Sequence, residues 1–169
     1  MSTLTPGPAR HEAPDTYRYA AFISYRHVEP DRRWAMWLHR SLETYRLPRK
    51  LAREYGLPPR VGRVFRDEEE LPASSNLSDE IDFALFQSRF LIVVCSPRTP
   101  QSEWVNKEVE RFREWGRHDR ILALLIKGEP AESFPRALRE IRRIVVDRYG
   151  LSRQEIEAVE PLAADVRPE

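Results

Sequence analysis

The sequence predicts an α/β domain built on a flavodoxin-like five-stranded parallel sheet, strand order 2-1-3-4-5, with helices on both faces. Three observations point there. Five short apolar runs lack the alternation of a half-exposed strand, so each suits a strand buried on both faces. Amphipathic stretches of helical period separate them, and such alternation implies crossover helices on a parallel sheet. Right-handed crossovers favour a doubly wound order, which places a ligand beyond the carboxyl ends of strands one and three.

The elements follow in order. Residues 1–16 hold three prolines and no apolar periodicity, and are expected to form a flexible leader. Tyr19-Ala-Ala-Phe-Ile-Ser-Tyr25 is the first strand, and Pro30-Asp31 starts a helix whose stripe is Trp34, Leu38, Leu42 and Tyr45. Trp34 and Trp37 are read as helix packing. Pro48 ends that helix, and basic, proline-bearing residues 46–62 form a long connection. Val64-Phe65-Arg66 is a short second strand, followed by a polar loop over 67–75. A helix from Asn76 carries Leu77, Ile81 and Leu85 at i, i+4, i+8. Phe90–Cys95 is the clearest buried strand, and Ser96-Pro97 terminates it. Ser102 is a suitable N-cap for a helix with core residues Val105, Val109 and Phe112, and Gly116 suits its C′ position. Ile121–Ile126 is the fourth strand, and residues 127–141 hold a Gly/Pro loop with about one helical turn. Ile144-Val-Val146 is taken as the fifth strand and Ser152–Val159 as weakly helical. The domain is thus expected over 17–160, with a loose tail over 161–169.

At 169 residues one domain is the natural count, long enough for a full core. Twenty-eight cations against 27 anions leave no bulk field directed at nucleic acid, and no nucleic-acid partner is expected. The single cysteine excludes an internal disulfide and a cysteine-built zinc site. The histidines at 11, 27, 39 and 118 show no metal-ligand spacing. No apolar run approaches the ~20 residues of a membrane span, and no signal-peptide core is present, so a cytoplasmic chain without a membrane partner is expected. GxGxxG, GxxxxGK[ST] and GxSxG are all absent from the sequence.

One pair of residues carries the chemistry. Trp104 and Glu108 stand four apart on one helix edge, just beyond the carboxyl end of the central strand. An indole beside a carboxylate suits a flat cationic ring. The ordinary alternative is a solvated Glu108 paired with Arg111 one turn on, beside a half-buried Trp. By the same standard Glu68, Glu69 and Glu70 read as a solvated loop, His27 as a loop residue and Cys95 as a small hydrophobe.

Four motifs in order resemble those of Toll/interleukin-1 receptor (TIR) domains. Phe22-Ile-Ser-Tyr-Arg26 is similar to the family's first box. Phe65-Arg-Asp67 with Leu71-Pro72 resembles the second box and its BB loop, with Ala73-Ser74-Ser75 where many members carry a glycine. Leu91–Pro97 resembles the third strand, and Trp104-Val-Asn-Lys-Glu108 the catalytic W-x-x-x-E helix. The similarity covers roughly residues 17–148 and is strongest toward bacterial members.

The resemblance implies an NAD+ glycohydrolase or cyclase that cleaves the nicotinamide–ribose bond, with NAD+ as substrate and no cofactor. Glu108 would be the catalytic carboxylate, and Tyr25, Arg26, Phe65, Leu77, Ser96 and Trp104 would contact substrate. It further implies bacterial, anti-phage immune signalling and activation by assembly with other TIR domains. The contrasting reading is a non-enzymatic TIR–TIR interaction module; a third, by fold analogy alone, is a nucleotide-processing enzyme such as a deoxyribosyltransferase.

Overall fold

The computed structural model describes residues 16–67 and 77–168, without the side chains of Leu77 and Ser78. Along the chain run β1 (Tyr19–Ser24), α1 (Asp31–Thr44), α2 (Arg49–Glu54), β2 (Val64–Arg66), α3 (Leu77–Phe86), β3 (Ser88–Cys95), α4 (Glu103–Glu114), β4 (Ile121–Leu125), α5 (Pro130–Ser133), α6 (Arg136–Arg139), β5 (Glu140–Val146), β6 (Ser152–Ala158) and β7 (Leu162–Asp165). Short 3₁₀ turns at Thr99–Gln101 and His118–Arg120 precede α4 and β4. Leader residues 1–15 and loop residues 68–76 lie outside the described residues.

Five strands form one parallel sheet in the order β2-β1-β3-β4-β7. Strand alternation sorts side chains to two faces. Phe22, Leu91, Val93 and Cys95 join Leu85, Val105, Val109, Phe112 and Leu138 in the core beneath α3, α4 and α6. Ala21, Ile23, Val94 and Leu124 face the other way, against Ala35 and Leu38 of α1. Trp34 packs partly into that second core, whereas Trp37 is 52 % exposed and meets Trp34 edge-on rather than packing inward.

The fifth strand corrects the expectation. Glu140–Val146 does not enter the sheet; it pairs antiparallel with Ser152–Ala158 in a separate two-stranded ribbon. Ile144 and Val146 are exposed there, and the stretch read as weakly helical is β6. Cross-strand pairing overrides the modest helix propensity of its Glu, Gln and Arg. The sheet is completed by Leu162–Asp165, from the tail expected to be loose, which pairs with β4 through Leu122↔Leu162 to Leu125↔Asp165. An edge strand pairs on one side only and needs little burial, so two small alanines suffice and no apolar run marks it. Arg167 fastens this edge: its guanidinium holds Asp165, Glu129 and the Gly128 carbonyl. Gly128, at φ 75°, is required where the loop after β4 passes Pro97, because a Cβ there would sit 2.5 Å from Pro97 Cγ.

At the opposite end a buried cation braces the base of β3. Arg117 is 3 % exposed and donates to the carbonyls of Phe86 and Ser88, at 2.7 and 3.1 Å. Its guanidinium lies 5.0–5.3 Å from the ring centroids of Tyr17, Phe86, Phe112 and Trp115. Burial lowers its pKa from the usual arginine value. Arg117→Ala leaves two carbonyls without this donor, removes four cation–π contacts and opens a cavity. It is expected to destabilise the fold by about 3 kcal/mol, and Arg117→Lys by about half that, read from urea midpoints.

Candidate functional site

Ser24 ends β1 on the same sheet face as Phe22, two residues before it, and therefore points toward α4 rather than α1. Helix α4 begins where expected: Ser102 Oγ accepts from the Val105 N–H at 3.3 Å, and Gly116 follows at φ 74°. Asn106 anchors the helix to its neighbours, its Nδ2 donating to the carbonyls of Pro100 and Ser102 and its Oδ1 accepting from the Ala137 N–H. One turn beyond the N-cap, the Glu108 carboxyl turns inward.

Glu108 is 5 % exposed and accepts a hydrogen bond from Ser24 Oγ. Burial pushes its pKa up to about 8; the Asp67 carboxylate also raises it, while hydrogen bonds from Ser24 and the Trp104 indole lower it. The solvated Glu108–Arg111 pair is therefore not what forms. Arg111 instead pairs with Asp82 of α3, and α4 turns Glu108 to the sheet. A protein that buries a carboxyl beneath the carboxyl end of a central strand, with one hydroxyl to meet it, has made a site where positive charge is stabilised when it arrives.

Trp104, 41 % exposed, stands between two recesses. One, of about 400 Å³, contains Glu108, Lys107, Asp82 and Arg111. The other, of about 500 Å³, is lined by Tyr25, Arg26, His27, Asp67, Ile81 and Ser102. Tyr25 is buried, its hydroxyl donating to the Asp67 carbonyl at 2.5 Å and accepting from Arg66 at 3.2 Å, and burial raises its pKa. The His27 ring lies on Tyr25 with centroids 4.7 Å apart, and its Nε2 is 3.4 Å from Asp67 Oδ2. Arg26 donates to the Arg98 carbonyl at 2.9 Å, which joins the ends of β1 and β3.

The structure thus brings Tyr25, Arg26, Trp104 and Glu108 to one end of the sheet. It places two other candidates elsewhere. Ser96 falls on the α1 face of β3 by alternation, where its Oγ donates to buried Asp31 at 3.0 Å and its N–H to Thr99 Oγ1 at 2.8 Å. Phe65 stacks on Phe22 at 5.2 Å and borders a different recess with Tyr19 and Phe83. The side chain of Leu77 lies outside the described residues. Ser24 and Asp67 were not singled out from sequence. Ser24 was within reach, since it shares strand parity with Phe22 inside the first motif; the Asp67 contacts depend on loop geometry that no periodicity encodes. Cys95 is a buried small hydrophobe, and burial drives its thiol pKa far up.

Comparison with known proteins shows the family. The chain is 39 % identical over 112 residues to the NAD(+) hydrolase ApTIR of Actinoplanes sp., a match covering 66 % of this chain and 14 % of that protein. The chain therefore spans only a small part of that relative's length. Among solved structures it aligns with the TIR domains of the activated Roq1 resistosome that recognises the pathogen effector XopQ, at TM-score 0.43 and 23 % identity, over 67 % of this chain and 60 % of that one. A family model described as TIR domain matches residues 21–162, from the third residue of β1 to the first residue of the edge strand β7. With the sheet, the inward carboxyl and this match over most of its length in agreement, the chain belongs to the TIR domain family.

Proposed function

We propose that this domain cleaves NAD+ at the nicotinamide–ribose bond, with Glu108 as the carboxylate that stabilises the ribosyl cation. The observation that carries the reading is the buried Glu108 carboxyl, held by Ser24 and flanked by Trp104 at the carboxyl end of the sheet. The 39 % identity to a protein named as an NAD(+) hydrolase supports it.

The chemistry needs few groups. Nicotinamide departs as a neutral molecule from a cationic linkage, so its loss requires no general acid. Positive charge then passes to the ribose, whose anomeric carbon becomes oxocarbenium-like. An ionised Glu108 in a low-dielectric pocket opposes that charge, and Ser24 Oγ holds the carboxylate in place without neutralising it. Trp104 offers a ring face for the ribose or nicotinamide, and Arg26 a cation for the diphosphate. Attack by water gives ADP-ribose and a proton; attack by a nitrogen or hydroxyl of the same nucleotide gives a cyclic isomer.

Activity that depends on self-association, within a bacterial immune signal, extends the same proposal. Purified chain incubated with NAD+ over a dilution series, with products resolved by mass, tests both parts. The expected result is release of nicotinamide with specific activity rising as the chain is concentrated. Nicotinamide release at constant specific activity removes the assembly requirement, and no release even from concentrated protein leaves an interaction module.

A further inference from the structure

The connection from α1 to β2 is almost wholly exposed. Helix α2 has no buried residue, and Tyr45, Leu51, Tyr55, Leu57 and Val61 are all between 38 % and 65 % exposed. A six-residue helix is not stable in water by propensity alone. Backbone bonds nevertheless order this excursion: Leu47 N–H to the Pro59 carbonyl at 2.9 Å and the Arg46–Arg60 bridge close it on itself, and Ala20 N–H to the Arg63 carbonyl at 2.7 Å ties its end to β1.

Its charge is equally one-sided. Residues 45–63 carry six cations (Arg46, Arg49, Lys50, Arg53, Arg60, Arg63) and one anion, Glu54, a net of +5 in a chain whose net charge is +1. Apart from Arg63, which lies over the Tyr19 ring, these cations make no ion pair or ring contact among the described residues. On α2 the spacing separates the two chemistries: Leu51 and Tyr55 share one side at i, i+4, and Arg49 and Arg53 share another.

We infer that this excursion is a docking surface for an anionic phospholipid membrane. Cations alone would suit any polyanion. The aliphatic side chains decide the class, because Leu51, Leu57 and Val61 gain nothing from a phosphodiester backbone but are removed from water at the acyl boundary of a bilayer. Because α1 leads into the excursion and β2 leads out of it, the surface lies at the amino ends of the strands. Glu108 and Trp104 lie at the carboxyl ends, so a docked domain turns its recesses away from the lipid. The contact is peripheral: among the described residues no helix is long and apolar enough to cross a membrane. It adds a lipid partner where composition alone suggested none, and it stands independently of the NAD+ reading.

The test is co-sedimentation of the chain with phosphatidylcholine vesicles, with and without about 30 mol % phosphatidylserine. Expected are pelleting only with the anionic vesicles, binding that weakens as salt rises, and loss of affinity by about 30-fold in Arg49→Glu/Arg53→Glu and about tenfold in Leu51→Ser/Tyr55→Ser. None of the four residues is buried, so both variants should keep the wild-type melting temperature, which is measured alongside. Equal pelleting with neutral vesicles, no pelleting at low salt, or indifference to either variant overturns the assignment. Tighter binding to single-stranded RNA that survives Leu51→Ser/Tyr55→Ser overturns it in favour of a nucleic-acid surface.

Discussion

Replacing Glu108 by glutamine should cut nicotinamide release from NAD+ by about 10³-fold while making the protein more stable at alkaline pH. The loss of activity follows from charge: glutamine keeps the shape and still accepts from Ser24, but its amide cannot oppose a ribosyl cation. The gain in stability follows from the same burial. With a folded pKa of about 8 against an unfolded value near 4.5, the native state holds a proton that the unfolded chain has lost between those limits. Stability contributed by the neutral carboxyl is therefore complete below about pH 4.5 and is lost as pH rises through 8, by up to roughly 5 kcal/mol. Glutamine does not titrate. The variant's advantage should be nil near pH 4.5, grow through neutrality and level off above 8 at about 10–20 °C in Tm. Thermal melts across that range measure it. Full activity in Glu108→Gln would remove the carboxylate from the mechanism, and a Tm difference that does not vary with pH would mean Glu108 is not buried as a neutral acid.

Burial and local end signals determine which parts of the chain are legible in the sequence. Strands β1, β3 and β4 are legible because burial on both faces demands uninterrupted apolar runs such as Phe90–Cys95, and α4 because Ser102 and Gly116 supply local end signals. The edge could not be read. Leu162–Asp165 is paired on one side only, so nothing in its composition separates it from a loop, while Ile144-Val-Val146 has the composition of a core strand and stands exposed in a ribbon. The site divides along the same line. Helical spacing placed Trp104 and Glu108 on one edge. Whether that edge faces water or the sheet was settled by tertiary packing, in which Asp82 takes Arg111 and Ser24 meets Glu108. Ser96 shows the converse: proximity in sequence to the carboxyl end of β3 suggested the site, but strand parity sends it to Asp31 on the far face.

The raised pKa of Glu108 also sets the pH dependence of the reaction. If the carboxylate is the active form, kcat/KM, which reports the free protein, should rise tenfold per pH unit below about 8 and flatten above it, leaving activity at pH 6 about 100-fold under the plateau. The profile of kcat should lie at lower pH, because the cationic nicotinamide ring favours an ionised Glu108 and draws its pKa down on binding. Binding a non-cleavable cationic analogue near neutrality should therefore release a proton, which calorimetry in buffers of different ionisation enthalpy can count. Ser24→Ala provides the internal control. Loss of a hydrogen bond that lowers the Glu108 pKa moves the kcat/KM curve to higher pH, whereas a mutation that merely loosened the fold would scale the curve down without moving it. A flat profile between pH 6 and 8 would show that the free protein already holds Glu108 ionised and would break the link between its burial and its chemistry. The ascending limb also runs against the stability curve: between about pH 4.5 and 8 each unit of pH removes stability because the unfolded chain sheds the Glu108 proton that the empty folded site keeps, and substrate, by binding the ionised form, restores it. A saturating non-cleavable cationic analogue should accordingly raise Tm more at pH 8 than at pH 6.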